Sequence, residues 1–445
     1  MKTSVLTLLA CAFGAARAAY WPIPPCDSVH PLGNNWGNYQ NYGTSDTNGY
    51  FHNGIDIITP DSHMSPVVAV APGWVKAWGT IYGDYHYRLA VCDSSPACTG
   101  RAPGWLYAHI ARNLPHKILG DHVNTGDTIG FLVFWPVRGF DHLHFARVSD
   151  TGATWQRFPN ATWWFIQNPL DLIDPTQDTL APVFENAVAT GRFAFCRDNA
   201  NDDYLDPDSL SGDVDIIARL YDKTGSSTGN SEWDKLAPYE LDYMIRRQDG
   251  LVVQPWTVAF QFSNTLRDAD VSVVYKYDNT CRSQGDYDAR EYFFIITNTD
   301  GDSVIEPDDT DGNWSTGLVG DADYWVIVRA SDACANTTAD SMLVTTANGV
   351  SVAERPPYTM LTSPLRATPN PGIGATVLGF GLSTAAVCRL RVFDRTGRIA
   401  VEPVHGPVPA GEYRCSLRGL PAGVYLAELV LNNSIRHRTK VVFVR

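Results

Sequence analysis

Pro66-Val67-Val68-Ala69-Val70-Ala71-Pro72-Gly73-Trp74-Val75-Lys76-Ala77-Trp78 holds two short β-type runs broken by a Pro-Gly pair. Branched and aromatic side chains fit a pleated, half-buried surface, and Pro-Gly sets a turn between such runs. The pattern recurs outward from this stretch, in Arg88-Leu89-Ala90-Val91, Trp105-Leu106-Tyr107-Ala108-His109 and His142-Leu143-His144-Phe145. Short strands divided by turn residues predict a mostly antiparallel β domain over residues 19–178.

The rest of the 445 residues read the same way, and the length exceeds the roughly 100–200 residues of one domain. Asp215–Tyr221, Tyr292–Ile296 and Tyr324–Val328 are strand-like runs between acidic loops, which predicts a β-sandwich over 179–350. Five prolines from Pro356 to Pro371 predict an extended linker, 351–363, before a last small sandwich, 364–445. The fold class is therefore mostly β. With 36 Gly, 28 Pro and only 18% charged residues, coiled coil and wholesale disorder are excluded.

The formal charge of −14 has the wrong sign for a phosphate-binding surface, so no nucleic-acid partner is expected. The acidity is local. Asp198–Asp215 and Asp300–Asp323 together carry fifteen acids and no Lys or Arg, and without them the chain is near +1. Asn298–Ser303 and Asp198–Asp208 offer the oxygen ligands that Ca²⁺ takes, yet neither completes an EF-hand spacing; solvated acidic loops and calcium sites in the middle domain both stand as readings.

Residues 1–18 start with Lys2, run apolar from Val5 to Ala15 and end Ala16-Arg17-Ala18, the series of a secretory signal cleaved after Ala18. No later stretch reaches the roughly 18 apolar residues of a membrane span, so a secreted chain is expected. Without Cys11 eight cysteines remain, an even number that in an exported chain favours disulfides, with Cys92–Cys98 and Cys388–Cys415 the readable pairs.

Nine of the eleven histidines fall between His30 and His144, which places any chemistry in the first domain. His52-Asn53-Gly54-Ile55-Asp56 sets an imidazole four positions from a carboxylate, and His142-Leu143-His144 sets two imidazoles two apart. In extended chain these even spacings put both members on one face. Two nitrogens and one oxygen suit Zn²⁺ better than Mg²⁺ or Ca²⁺, and three protein ligands leave a coordination position open. Alone, each fragment is weak: an H-x-H arises by chance about 0.3 times in such a chain.

Their context resembles the lysostaphin-type zinc endopeptidases of bacterial cell walls. The blocks are His52-Asn53-Gly54-Ile55-Asp56, Pro66–Val75, Tyr107-Ala108-His109, Val123-Asn124-Thr125-Gly126-Asp127-Thr128-Ile129-Gly130 and His142-Leu143-His144-Phe145, in that order, with Asn168–Ile173 closing the region 50–175. The resemblance implies a duplicated-hybrid-motif-like antiparallel fold. It also implies that His52, Asp56 and His144 bind one Zn²⁺ per chain while His109 and His142, in either order, serve as acid/base and oxyanion partner around a zinc-bound water. The expected activity is hydrolysis of peptide bonds in peptidoglycan cross-links. Two alternatives are a catalytically silent cell-wall-binding or activator protein and a secreted protease acting on Gly-rich extracellular protein; the silent reading is disfavoured because all three ligands are present.

The resemblance has limits. Gly130–Asp141 is bulky, Gly-Phe-Leu-Val-Phe-Trp-Pro-Val-Arg-Gly-Phe-Asp, where the family often has a Gly- and Ser/Thr-rich loop, so glycine-bridge specificity does not transfer. His30, His63, His86, His116 and His122 sit among polar or turn residues and read as solvated loops. Trp163-Trp164 reads as core packing, with sugar stacking as the other option.

The tail resembles the sorting domains of type IX secretion and the immunoglobulin-like domains of hook-capping proteins. Pro369-Asn370-Pro371, Leu390–Arg398, Ala410–Tyr413, Leu420–Leu426 and Lys440–Val442 carry that resemblance. It implies outer-membrane export machinery as a partner and a cell-surface or extracellular location after periplasmic transit, with a plain adhesive sandwich as the competing reading.

Overall fold

A computed structural model of the chain describes residues 20–40, 49–60, 64–80, 83–155, 164–173, 178–284, 290–348, 361–382, 385–395, 397–431 and 435–444. The expected signal segment, most of the expected linker, His63 and Trp163 lie outside the described residues. The protein is mostly β, built of several antiparallel sheets, and the described residues include no helix long and apolar enough to cross a membrane.

Two compact units divide the chain, Met1–Asn348 and Gly349–Arg445. The first contains an eight-stranded sheet ordered Leu32–Asn34, Ile55–Ile58, His142–Asp150, Ala102–Ala108, Arg88–Cys92, Gly73–Gly79, His122–Val123, with Trp164–Gln167 also paired to His142–Asp150. Its two faces differ. Ile55, Ile57, Leu89, Val91, Tyr107, Leu143 and Phe145 project into one core cluster, and the alternate positions Ala77, Ala90, Leu106, Ala146 and Val148 project into another. Burial on both sides explains why these strands read as near-continuous apolar runs.

The small-residue face joins a core that continues through Trp36 and Phe51 into Phe262, Tyr275 and the strands up to Val344. Those later strands form a five-stranded sheet centred on Asp213–Tyr221 and a four-stranded sheet ordered Val252–Gln261, Glu240–Arg247, Asp323–Ser331, Thr337–Thr345. Inward residues of both, Ile216 and Ala218 from one and Tyr243 and Val326 from the other, meet in that core. The expected boundary near residue 178 thus falls inside a single compact unit.

The second unit is a two-sheet sandwich. Leu361–Thr368, Ala375–Leu382 and Gly411–Arg418 form one sheet, and Gly372–Ile373, Ile435–Val444, Gly423–Leu431, Ala386–Phe393 and Ile399–Val408 the other. Strict alternation along Ala386–Phe393 sends Cys388, Leu390 and Val392 inward to meet Leu378, Phe380 and Leu417 of the facing sheet.

The expected disulfides are absent. Cys92, Cys98, Cys388 and Cys415 are all free thiols. Cys92 is buried and shares a hydrogen bond with Ser94 Oγ at 3.3 Å, whereas Cys98 is exposed; Cys388 lies in the sandwich core. An even cysteine count in an exported chain and closeness in sequence carry the expected pairing; buried Cys92 and Cys388 serve instead as small apolar groups.

Candidate metal centre

The site sits at the start of strand His142–Asp150, on the small-residue face of the eight-stranded sheet. Antiparallel register sets His144 opposite Asp56 on one side and Ala108 on the other, so alternation carries His142 and His144 to one face as expected. His52 arrives differently. It precedes a bend at Gly54 instead of sharing one strand with Asp56. A Cβ on Gly54 would lie 2.5 Å from His144 Cε1 and 2.7 Å from its Nε2, so only glycine lets the chain pass under that ring.

His52 Nε2, Asp56 Oδ1 and His144 Nδ1 form a triangle with sides of 3.1, 3.0 and 3.0 Å. One face of a tetrahedron around zinc, with ligand distances near 2.0–2.1 Å, has edges of about 3.3 Å. The donor set therefore fits zinc in type and nearly in size. His52 Nδ1 donates to Asn35 O at 3.1 Å, which leaves Nε2 as the lone-pair nitrogen, and Asp56 Oδ2 accepts from Asn34 Nδ2 at 2.6 Å. Such outer bonds fix tautomer and orientation of ligating groups.

His109 and His142 face the same space, with ring centroids 4.4 Å apart. His109 directly follows strand Ala102–Ala108 with φ 67°, a left-handed backbone uncommon outside glycine. Its Nδ1 donates to Tyr85 O at 2.8 Å, and His142 Nδ1 donates to Phe140 O at 2.7 Å, so each presents Nε2 to the cleft. Trp135 stands edge-on to both rings. Its backbone N–H donates to Asp141 Oδ1 at 2.6 Å.

Burial dominates the electrostatics of the imidazoles. It pushes His144 down to about 4 against the pull of Asp56, and lowers His142, while His109 is held well below its usual range by burial and then by His142 and His144. Burial alone would raise Asp56, but His52, His142 and His144 outweigh it and hold the carboxyl well below the usual range. An ionised oxygen ligand beside neutral nitrogens is the state a divalent metal needs.

A cleft of about 650 Å³ opens over these residues. The segment expected to be a bulky wall supplies Trp135, Pro136, Val137 and Phe140, and later parts of the chain add Phe165, Trp233, Asp268 and Arg290. Those four, together with Arg88 and Asn34, were missed from sequence because no local motif carries them. His86 also belongs here, with its ring centroid 5.5 Å from His109 and 5.3 Å from Trp135, and is not the solvated residue its neighbours suggested. His30 is likewise buried, bonded to Pro25 O and edge-on to Trp21, and His116 stacks on Trp78 at 4.0 Å. Trp164 is exposed and covered by the Arg101 guanidinium at 3.1 Å, so it is not a core residue.

The acidic runs bring no metal-like cluster together among the described residues. Their carboxylates serve local hydrogen bonds: Asp202 accepts from Thr280 N and Oγ1, Asp302 from Val304 N, and Asp309 from Asp300 N and Glu306 N.

No protein-family model matches the chain, and no curated protein matches it. Among solved structures, the catalytic domain of the antimicrobial peptidase lysostaphin from Staphylococcus simulans is 23% identical, covering 32% of this chain and 90% of that one, at a TM-score of 0.23. The antimicrobial peptidase lysostaphin itself is 15% identical, covering 57% of this chain and 100% of that one, at 0.25. Dimeric latent PorU from Porphyromonas gingivalis is 11% identical, covering 84% and 34%, at 0.18. Superpositions this loose carry no argument about activity, which rests on the side chains above.

Proposed function

We propose that this protein is a secreted zinc-dependent endopeptidase that hydrolyses peptide bonds in peptidoglycan cross-links. The observation that carries the reading is the donor triangle of His52, Asp56 and His144 with His109 and His142 beside it in one cleft. Zinc held by the three ligands supplies Lewis-acid polarisation of a carbonyl and activation of a water.

The chain's own residues supply the remainder. With Nδ1–H committed to Tyr85 O and Phe140 O, His109 and His142 each keep Nε2 for the substrate. Low proton affinity from burial leaves the imidazoles neutral near pH 7, so one can take a proton from the attacking water and pass it to the leaving amine. The other can donate to the developing oxyanion only after taking up a proton at Nε2, which the negative charge gathering at the carbonyl favours. Trp135 and Phe140 pack against His142 and shed water from the cleft.

Zymography on purified sacculi beside a Gly-rich protein substrate tests the reading. Clearing of sacculi is expected, and His109→Ala or His142→Ala should each lower the rate by on the order of 10² or more with the fold intact. Cleavage of the Gly-rich protein alone would move the substrate to extracellular protein; binding to sacculi without cleavage would leave a silent cell-wall protein.

A further inference from the structure

Three carboxylates meet away from the catalytic cleft. Asp178 precedes the strand Val183–Glu185, Asp222 follows Asp213–Tyr221, and Asp332 follows Asp323–Ser331. One oxygen from each lies within 4.8 Å of the other two. Asp178 and Asp332 are positioned by their own loops. Asp178 Oδ1 accepts from Leu180 N, Asp332 Oδ1 from Cys334 N and Asn336 N, and Asn336 Nδ2 bonds both Asp332 Oδ2 and the Asp178 carbonyl.

Asp222 is the exception. It is 3% exposed, and its Oδ1 has no hydrogen-bond partner among the described residues. The charges that act on it are those of Asp332 and Asp178, both negative. The Lys223 backbone N–H bonds the carboxylate, but a buried carboxylate with one oxygen unpartnered and only negative neighbours costs several kcal/mol unless something compensates it. Beside these side chains lies a cavity of about 30 Å³, lined by Asp178, Asp222, Thr224 and Asp332, which has room for a single small ion.

We propose that Asp178, Asp222 and Asp332 hold a structural calcium ion. The donors are all oxygen, the choice of a hard cation, and their irregular spacing suits the 6–8 ligands at 2.3–2.6 Å that Ca²⁺ accepts better than the strict octahedron of Mg²⁺. Thr224 and water complete the shell. Trp21, His30 and Leu32, from the N-terminal part of the chain, line the same cavity, so the ion fastens the segment leaving the catalytic half to two loops of the later sheets. Without it, burial and the two neighbouring acids push the Asp222 carboxyl well above its usual range, and protonation is the remaining way to neutralise it.

The test uses the full-length, zinc-loaded protein in calcium-free buffer, titrated calorimetrically with CaCl₂ and melted with 10 mM CaCl₂ or MgCl₂. One Ca²⁺ per chain is expected, with Kd on the order of 10⁻⁴–10⁻³ M as in extracellular modules, and a melting temperature raised by about 5 °C with calcium and less with magnesium. Asp222→Asn and Asp178→Asn should each abolish both effects, while an Asp300→Asn, Asp302→Asn double variant should keep them. If Asp222→Asn does not fold, Asp178→Asn, whose side chain is only half-buried, decides. No calcium binding by the natural chain, an equal rise with magnesium, or calcium binding unchanged in Asp178→Asn overturns the assignment.

Discussion

Gly54 shows how one missing side chain shapes the proposed metal centre. The His144 ring occupies the space a Cβ at position 54 would need, with Cε1 at 2.5 Å, and the Phe145 carbonyl lies 3.0 Å away on the backbone side. Neither chain nor ring can yield without moving Nδ1 out of the donor triangle. The natural chain should therefore carry about one zinc, and Gly54→Ala should lower zinc affinity at least about tenfold, the scale seen when groups that orient a ligand are disturbed. Metal analysis after dialysis, with circular dichroism to confirm an intact fold, checks this; full zinc retention in Gly54→Ala would place the metal elsewhere or free His144 from its role. Removing Asn34, whose amide holds Asp56 Oδ2, acts on the same triangle from the far side.

At the scale of elements, the strands were the legible part. Period-2 and continuous apolar runs identify Gly73–Gly79, Arg88–Cys92, Asp213–Tyr221 and Gly423–Leu431 to within a few residues, because local pattern decides which faces are buried. His52, Asp56, His109, His142 and His144 were legible for another reason, the order of short blocks around them. The groove walls were not: Trp233 and Arg290 reach the cleft from more than 85 residues beyond His144, and nothing near them in sequence marks that contact. The acidic runs misled for the same reason. Asp215 sits within Asp213–Tyr221 and turns inward, accepting from Asn199 N and Thr297 Oγ1, and burial raises its carboxyl to about 6 despite those bonds. A raised acid binds its proton more tightly in the folded state, so its contribution to stability is present below an unfolded value of about 3.9 and is lost as pH rises through about 6. Asp215→Asn should remove a loss on the order of 2–3 kcal/mol between pH 4 and pH 7. Denaturant unfolding of both proteins at those two pH values reads the difference; parallel pH dependence in the two would show that Asp215 is not the group responsible.

The whole molecule divides where its cores divide. Trp36 and Phe51 of the first 178 residues pack in the cluster that includes Phe262 and Tyr275, and Asn38 bonds Tyr292 Oη and the Ala237 N–H. A fragment ending at residue 178 should therefore be insoluble or molten, since it exposes that face of the sheet; a soluble, zinc-binding fragment with a cooperative melt would show that the catalytic half is self-sufficient. The unit from Gly349 onward keeps its own core of Leu378, Phe380, Leu390, Val392, Ala427 and Leu429, and every residue of the proposed zinc site and cleft lies before Asn348. Deleting residues 364–445 should then leave zinc content and activity on sacculi unchanged. Where the protein accumulates is a separate question. The first 18 residues read as an address to the periplasm and the tail resembles a type IX sorting domain, so two export steps are implied in a cell with two membranes. The truncated protein should remain active but periplasmic, while the full chain reaches the surface or medium. Cell fractionation with an activity assay on each fraction distinguishes the cases, and a truncated protein that still reaches the surface would make the tail an adhesive module with no part in export.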